Sequence, residues 1–464
     1  MKSSPTLTPR AGRAARFTPR VLAAILAAVI ALVAYRVAGR TSGSTRHVVV
    51  ISVDGMRGSV YSTPHPGIRV PNLRRLMTEG SYAEGVEAVY PSVTYPGHTT
   101  LVTGRMPAEH GIYTNLSSRQ AGKNARDWFW FSKAIKAPTL WDKARQAHLT
   151  TASVAWPVTV GAAIDWDVPE IWDPYQKAPA ADPLYLARFM NPVMSIEVLA
   201  ALGAPKSGSD TDAQRTRLAV YLLKQHKPNL LLVHYEDVDD AGHGHGPDSP
   251  ESAAAVEHID AQIGEVLTAV KEAGIEETTD VFIVSDHGFL PVHRKVAPNI
   301  PLEDAGLLTT KWGGITGGKI ATVASGGSFF IYWPPGEDLR GAVDAALKPL
   351  REQGLVWGIF DHEALADMGA DPDAQLALEA PDGTEYTAAS NGALVEDAKP
   401  TGTHGFLPYR EGLEASFIAW GPEVRAGVDL HRIRMTAIAP TILKALGIDD
   451  PKFGDQPPLR DIFK

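Results

Sequence analysis

Between His47 and Val53 the chain reads HVVVISV, a β-branched, apolar run with no regular polar face, and it ends on Asp54-Gly55. A strand that alternates apolar with polar residues can leave one side in water. A strand apolar throughout has to be covered on both sides, the habit of parallel sheets wrapped by helices. Four more apolar runs read as strands: Thr151–Ala155, Asn229–His234, Val281–Ser285 and Ala415–Trp420. Helical patterns separate them at Pro71–Gly80, Thr139–Ala147, Asp212–Gln225 and Glu251–Ala273, and Arg434–Leu446 closes the chain with Gly447 as its C-cap. This alternation predicts an α/β fold, a doubly wound, mainly parallel sheet flanked by helices. The stretch 313–391 breaks the pattern. It is Gly-rich, holds GGSFFIYW, a helix near Leu339–Glu352 and the acidic DGTEYT, and reads as a smaller α+β subdomain inserted in a domain spanning 47–464.

Residues 1–46 are of another kind. They carry eight Lys/Arg and no acid, and an apolar run from Val21 to Tyr35 follows five of those bases. A basic segment before a 15-residue apolar run reads as a secretory signal or signal anchor, shorter than the roughly 20 residues of a spanning helix. The body is therefore expected outside the cytoplasm, in the periplasm or another extracytoplasmic space, and tied to the membrane if the segment is not cleaved. Beyond Arg46 there are 36 basic against 53 acidic residues, which argues against a surface that coats nucleic acid. Cysteine is absent from all 464 residues, so disulfide scaffolds, thiol nucleophiles and thiolate-bound metals are excluded. The sequence does not define the oligomeric state.

The chemistry-bearing residues follow the strands, where open α/β sheets collect their ligands. VVVISVDG puts Asp54 at a strand end. YPSVTYPGHTTLVTG places Thr94 in a turn leading into a helix over Gly97–Thr103. LLLVHYEDVDDAGHGHGP sets Asp239 and His243 four apart beyond a strand, VFIVSDHGF places Asp286 and His287 at another strand end, and GTHGF adds His404. Carboxylates and imidazoles without thiolates suit zinc or manganese in a hydrolytic site. Each motif alone is weak, because an Asp at a strand end is more often a helix cap; the set is not.

This ordered set, VDG, PSVTYPGHTTLVTG with EHGIYTN, DxxGHxxGP, SDHG and GTHG, resembles the nucleotide pyrophosphatase/phosphodiesterase family of the alkaline phosphatase superfamily. The resemblance covers the chain from about His47 onward and is weakest in 313–391 and in the substrate pocket. It implies an alkaline phosphatase-like fold and two zinc ions, with Asp54, Thr94, Asp286 and His287 on one and Asp239, His243 and His404 on the other. The family usually reads Glu-Pro-Asp where this chain has Asp237-Val238-Asp239; Asp239 is preferred to Asp240 because it alone is four residues before His243.

The resemblance further implies hydrolysis of phosphodiester or pyrophosphate bonds in a small, nucleotide-type substrate. Thr94 would be the nucleophile and carry a covalent phosphoryl group. Asn115, with the Tyr95 backbone N–H, would donate to a non-bridging oxygen. Asn115-Leu116-Ser117 is also a formal glycosylation sequon, and Thr94 could instead cap its helix. Tyr95 and Tyr175, with Trp172, are candidates for an aromatic substrate slot. His98 and His110 read as scaffold, His234 as a satisfied core histidine, and His245, two residues from His243, as able to reach the site behind the ligands. Other readings are a phosphonoacetate-type hydrolase or phosphomonoesterase, a sulfatase, and a binding protein without turnover.

Overall fold

The computed structural model describes residues 46–63, 67–117, 128–171, 187–190, 192–202, 211–311 and 314–464. The apolar run 21–35, Trp172 and Tyr175 lie outside them. Among the described residues no helix is long and apolar enough to cross a membrane.

The central sheet has nine strands: β1 His47–Val53, β2 Ser81–Glu87, β3 Thr151–Val154, β4 Trp166–Val168, β5 Leu230–Tyr235, β6 Thr279–Val284, β7 Ala415–Trp420, β8 Val428–Asp429 and β9 Arg432–Arg434. Their order is β8-β2-β7-β6-β1-β5-β3-β4, with β9 also on β2. The five strands β6-β1-β5-β3-β4 are parallel, and β7 runs antiparallel to both β6 and β2. The apolar HVVVISV therefore sits mid-sheet. Val48 and Val50 pack into a core with Leu101, Val102, Ile438 and Ile442 from the helices of one face. Val49 and Ile51, on the other face, are as fully buried. Four helices matter below: α1 Thr94–Thr103, α2 Thr211–His226, α3 Asp237–His245 and α4 Pro250–Glu272. A capping box, Thr139 with Asp142, starts the helix Leu140–Gln146, and Ser249 caps α4 with Pro250 following it.

Several expected elements differ at their ends. The helix expected from Gly97 begins three residues earlier, at Thr94, with Val93 as N-cap. Pro96 is the third residue of that helix, where its missing N–H costs no intrahelical bond. The single helix near Leu339–Glu352 is two, Arg340–Ala346 and Lys348–Glu352, with Pro349 near the start of the second. The closing helix is shorter, Ile438–Ala445, preceded by a 3₁₀ turn at Met435–Ala437.

Beyond the central sheet, an antiparallel sheet orders Ala321–Ser325, Ser328–Tyr332, Leu376–Glu379 and Gly358–Asp361. A separate three-stranded sheet has Leu290–Val296 at its centre, between Gly383–Tyr386 and Val395–Thr403. This second sheet positions the site. Its antiparallel register pairs Thr403 with Leu290, so the residues just outside that pair, His404 and Phe289, come together at one end.

Candidate active site

β1, β5 and β6 are in register at their C-terminal ends: Val53 pairs with Tyr235 and Ser52 with Val284. The residues that leave these strands, Asp54, Glu236 onward and Asp286-His287, consequently emerge at one edge. α3 follows β5 and carries Asp239 and His243 one turn apart. The Thr403–Leu290 register delivers His404, whose ring stacks on that of His287 with centroids 3.7 Å apart.

Two glycines let these pieces approach. A Cβ at Gly97, in the first turn of α1, would stand 2.7 Å from Asp286 Cβ. One at Gly402 would stand 2.8 Å from the Gly242 carbonyl of α3, and the Gly402 carbonyl is where His243 Nδ1 hydrogen-bonds, at 3.2 Å.

The side chains divide their atoms in one consistent way. Each imidazole places Nδ1 on a backbone carbonyl: His243 on Gly402, His287 on Gly288 at 3.1 Å, His404 on Ser92 at 3.0 Å. Nε2 is thereby the lone-pair nitrogen in each. The carboxylates behave alike. Asp286 accepts the Gly55 N–H on Oδ1 and Asp54 meets His234 on Oδ2. What remains, Asp54 Oδ1, Asp286 Oδ2, Asp239 Oδ1 and His287 Nε2, is buried without a hydrogen-bond partner among the described residues. These atoms converge: His287 Nε2 is 3.2 Å from Asp54 Oδ1 and 3.1 Å from Asp286 Oδ2. Beside them, His243 Nε2 is 3.1 Å from His404 Nε2, and Asp239 lies 3.5 Å from the first and 3.7 Å from the second. Buried orphan acceptors facing one another are costly, and a shared cation removes that cost. Asp54, Asp286 and His287, and separately Asp239, His287 and His404, are spaced to hold a metal ion. The donor set fits divalent metals that accept nitrogen and oxygen.

Electrostatics point the same way. Burial, then the Asp239 and Glu236 charges, pushes Asp54 well above the usual carboxylate range. Burial and then Asp54 does the same to Asp286, and burial brings Asp239 to about 7. Burial followed by neighbouring imidazoles lowers His287, and His404 to about 3. Three such carboxylates ionise together only beside compensating positive charge, and neutral imidazoles are the ligating form.

Thr94 is the first residue of α1, and Val93 in front of it makes no side-chain capping bond. Thr94 is therefore not the helix cap, and among the described residues its hydroxyl has no hydrogen-bond partner. Asn115 lies alongside, its Oδ1 accepting the Tyr95 N–H at 2.9 Å. That N–H was expected to face a substrate oxygen and here serves Asn115, which leaves the Asn115 NH₂ as the donor with no partner among the described residues.

Residues 48–406 match the sequence profile of the type I phosphodiesterase / nucleotide pyrophosphatase family. This chain belongs to that family. Mouse ectonucleotide pyrophosphatase/phosphodiesterase family member 1 is 23% identical to it over 432 residues, which is 90% of this chain and 42% of that protein. Bovine bis(5'-adenosyl)-triphosphatase is 27% identical over 249 residues, 52% of this chain and 47% of that one. The chain thus spans less than half the length of these curated relatives. The solved structure of murine ectonucleotide pyrophosphatase/phosphodiesterase 5, an inactive variant in complex with AMP, superposes with a TM-score of 0.64 at 18% identity, covering 90% of this chain and all of that one. The human counterpart gives the same TM-score at 19% identity. The shared fold is that of the alkaline phosphatase superfamily.

Other residues of this family member fall in places the sequence did not indicate. His234 is buried and hydrogen-bonded, as expected of a core histidine, but its partners are Asp54 and Glu170. Burial pulls its pKa down, and the Glu170 bond and charge carry it above the ordinary value. Glu170 was not singled out; in the sequence it is one acid in a loop. His98 lies within the site, its Nδ1 2.9 Å from the Thr94 carbonyl and 3.5 Å from Asp286 Oδ2. His245 points away from the cluster toward Glu251, 3.9 Å off at the exposed end of α3. The aromatic ring found against Tyr95 is Trp128, at 5.2 Å. Arg215, nearly buried on α2, pairs with Asp212 and with Glu236 at 2.7 Å, which anchors the turn between β5 and α3.

Proposed function

We propose that this chain is an exported hydrolase with two zinc ions that cleaves phosphodiester or pyrophosphate bonds in small nucleotide-type substrates, by way of a covalent phosphoryl group on Thr94. The observation that supports this most is the convergence of Asp54 Oδ1, Asp286 Oδ2, Asp239 Oδ1 and His287 Nε2, all buried and unpartnered, in a member of this family. The substrate class is supported by relatives named as pyrophosphatases, phosphodiesterases and a bis(5'-adenosyl)-triphosphatase, and by a related structure that holds AMP.

Asp54, Thr94, Asp286 and His287 would hold one zinc and Asp239, His243 and His404 the other. Two divalent cations bound there would offset the charge of an anionic phosphoryl group and lower the pKa of a hydroxyl or water. The protein supplies the remaining parts. Thr94 stands at a helix start, where the helix dipole favours an anion, and its hydroxyl is not used by the fold. Its oxygen would attack phosphorus opposite the departing oxygen, and water would then release the phosphoryl group from Thr94. The Asn115 NH₂ would donate to a non-bridging oxygen, work that typically contributes ~2.7–4 kcal/mol to the transition state. Tyr175 is proposed to line the substrate slot, whereas the Tyr95 ring, expected there too, is fully buried with its hydroxyl on Glu170. No Lys or Arg occurs between Val89 and Leu101 or between Asn229 and Pro250, so these segments offer no cation to a dianionic terminal phosphate.

The test is a matched panel: an aryl phosphodiester, phosphomonoester and sulfate with one leaving group, and phosphonoacetate. The diester is expected to have the highest kcat/KM. A monoester or phosphonoacetate preference would move the assignment to those hydrolases.

A further inference from the structure

Two buried residues behind the metal-type cluster have no part in the reaction just described. His234, on β5, is 0% exposed, and Glu170, just past β4, is 4% exposed. Glu170 Oε2 lies 2.8 Å from His234 Nδ1, and His234 Nε2 lies 3.1 Å from Asp54 Oδ2. The other Glu170 oxygen accepts the Tyr95 hydroxyl at 2.6 Å. A continuous buried chain, Tyr95–Glu170–His234–Asp54, therefore joins the residue after Thr94 to a residue of the cluster.

An apolar pair of similar size could fill this space without the cost of burying a carboxylate and an imidazole. The division of labour on Asp54 suggests what the polar pair does. A carboxylate turns easily about its last torsion, so nothing in its own chemistry decides which oxygen faces the cluster. His234 engages Oδ2, and Oδ1 is left buried, unpartnered and 3.2 Å from His287 Nε2. The imidazole is itself held. The Ala155 carbonyl at 3.1 Å and Glu170 both accept at Nδ1, so that nitrogen carries hydrogen and the ring cannot turn over without losing both. We propose that Glu170 and His234 are positioning residues that hold Asp54 with one oxygen directed at a divalent cation. Through the same carboxylate, Glu170 also holds the hydroxyl of Tyr95, the residue next to Thr94. The inference rests on the reading of Asp54 as a metal ligand.

The experiment uses the full chain, stripped of metal and titrated with Zn²⁺ alone against a chromophoric chelator. Wild type, Glu170→Gln and His234→Gln are compared, with circular dichroism as the check on folding. Groups that orient a ligand typically change metal affinity by about 10- to 100-fold when removed. Wild type should take up two ions. Each variant should bind one of the two roughly 10- to 100-fold more weakly and the other as wild type does. Diester turnover lost at limiting Zn²⁺ should return as Zn²⁺ is raised, which a packing defect would not allow. Glu170→Gln leaves His234 in place and keeps the test decisive if His234→Gln does not fold. Wild-type affinity for both ions in a folded Glu170→Gln protein overturns this inference and leaves the proposed function standing. A wild-type chain that takes up no Zn²⁺ overturns both.

Discussion

Gly97→Ala separates the placement of α1 from its stability. Gly97 is in the first turn of α1, and its N–H bonds the Val93 carbonyl at 3.1 Å, so its backbone is helical and admits alanine. In a helix interior Ala is favoured over Gly by about 0.8–1 kcal/mol. Against this, the new methyl would lie 2.7 Å from Asp286 Cβ and 3.1 Å from the Asp286 carbonyl oxygen. The first distance is about 0.8 Å inside a comfortable carbon–carbon separation of ~3.5 Å. Neither neighbour is the tip of a flexible side chain, so α1 and the Asp286 loop must move apart by most of that amount. Overpacking of this kind costs about 1–3 kcal/mol, and the propensity gain offsets part of it. The net loss is expected between ~0 and 2 kcal/mol, so the protein stays folded. Catalysis is less tolerant, because a displacement near 1 Å can cost about 10²-fold. Thermal melting and kcat on an aryl diester, at saturating zinc, should show a small change in Tm beside a fall in kcat of roughly 10²-fold. Gly244→Ala is the control. It lies on α3 next to His243, and a Cβ there meets nothing within 4 Å. It should keep full turnover and gain up to about 1 kcal/mol. A Gly97→Ala enzyme with kcat within threefold of wild type would refute the claim that the contact of α1 with Asp286 sets the reactive geometry.

Thr94→Ala should lose kcat by roughly 10³-fold or more with its melting profile unchanged, since Val93 and not Thr94 is the helix N-cap; Thr94→Ser should keep part of the activity. Turnover by Thr94→Ala within tenfold of wild type would exclude it as the nucleophile. Chelation should remove activity and lower Tm together, because ligand at ~1,000 times Kd stabilises a fold by ~4 kcal/mol; a melting curve indifferent to chelator would count against bound metal. Acid should destabilise the fold through His110, which is fully buried, accepts the Ile112 N–H on Nδ1 and is lowered by burial to about 3. Its folded value lies below the unfolded one near 6.5, so its contribution is present above pH 6.5 and is lost as pH falls toward 3, at up to ~1.4 kcal/mol per pH unit. His110→Gln should show a shallower loss of Tm between pH 6.5 and 4 than wild type, and an equal slope would refute the assignment.

Some of the site was legible because its residues are bound to local pattern. Asp54 and Asp286-His287 terminate apolar strands, and Asp239 and His243 share a helix face, so period and spacing mark them. Thr94 was visible as a residue but not as a helix start, because Pro96 so close behind it reads as a turn when it in fact occupies a first-turn position that tolerates it. Glu170 carries no pattern. Its partners His234 and Tyr95 are 64 and 75 residues away, and no periodicity spans such distances. Trp128 was likewise invisible as the neighbour of Tyr95.

The sequence by itself determined the fold class, since strands apolar on both faces must be covered on both sides and the helical segments between them supply that cover, and it named the donors, since without cysteine only carboxylates, imidazoles and hydroxyls remain. Tertiary structure alone decided how those donors meet. The antiparallel register of Val395–Thr403 on Leu290–Val296 laid His404 against His287, more than 100 residues earlier in the chain. The hydrogen bonds that occupy one atom each of Asp54, Asp286, His243, His287 and His404 left the other facing the cluster. Local preferences act over a few residues, whereas the direction of a buried oxygen or nitrogen is set by whichever neighbour the fold puts beside its other atom, and that neighbour comes from elsewhere in the chain.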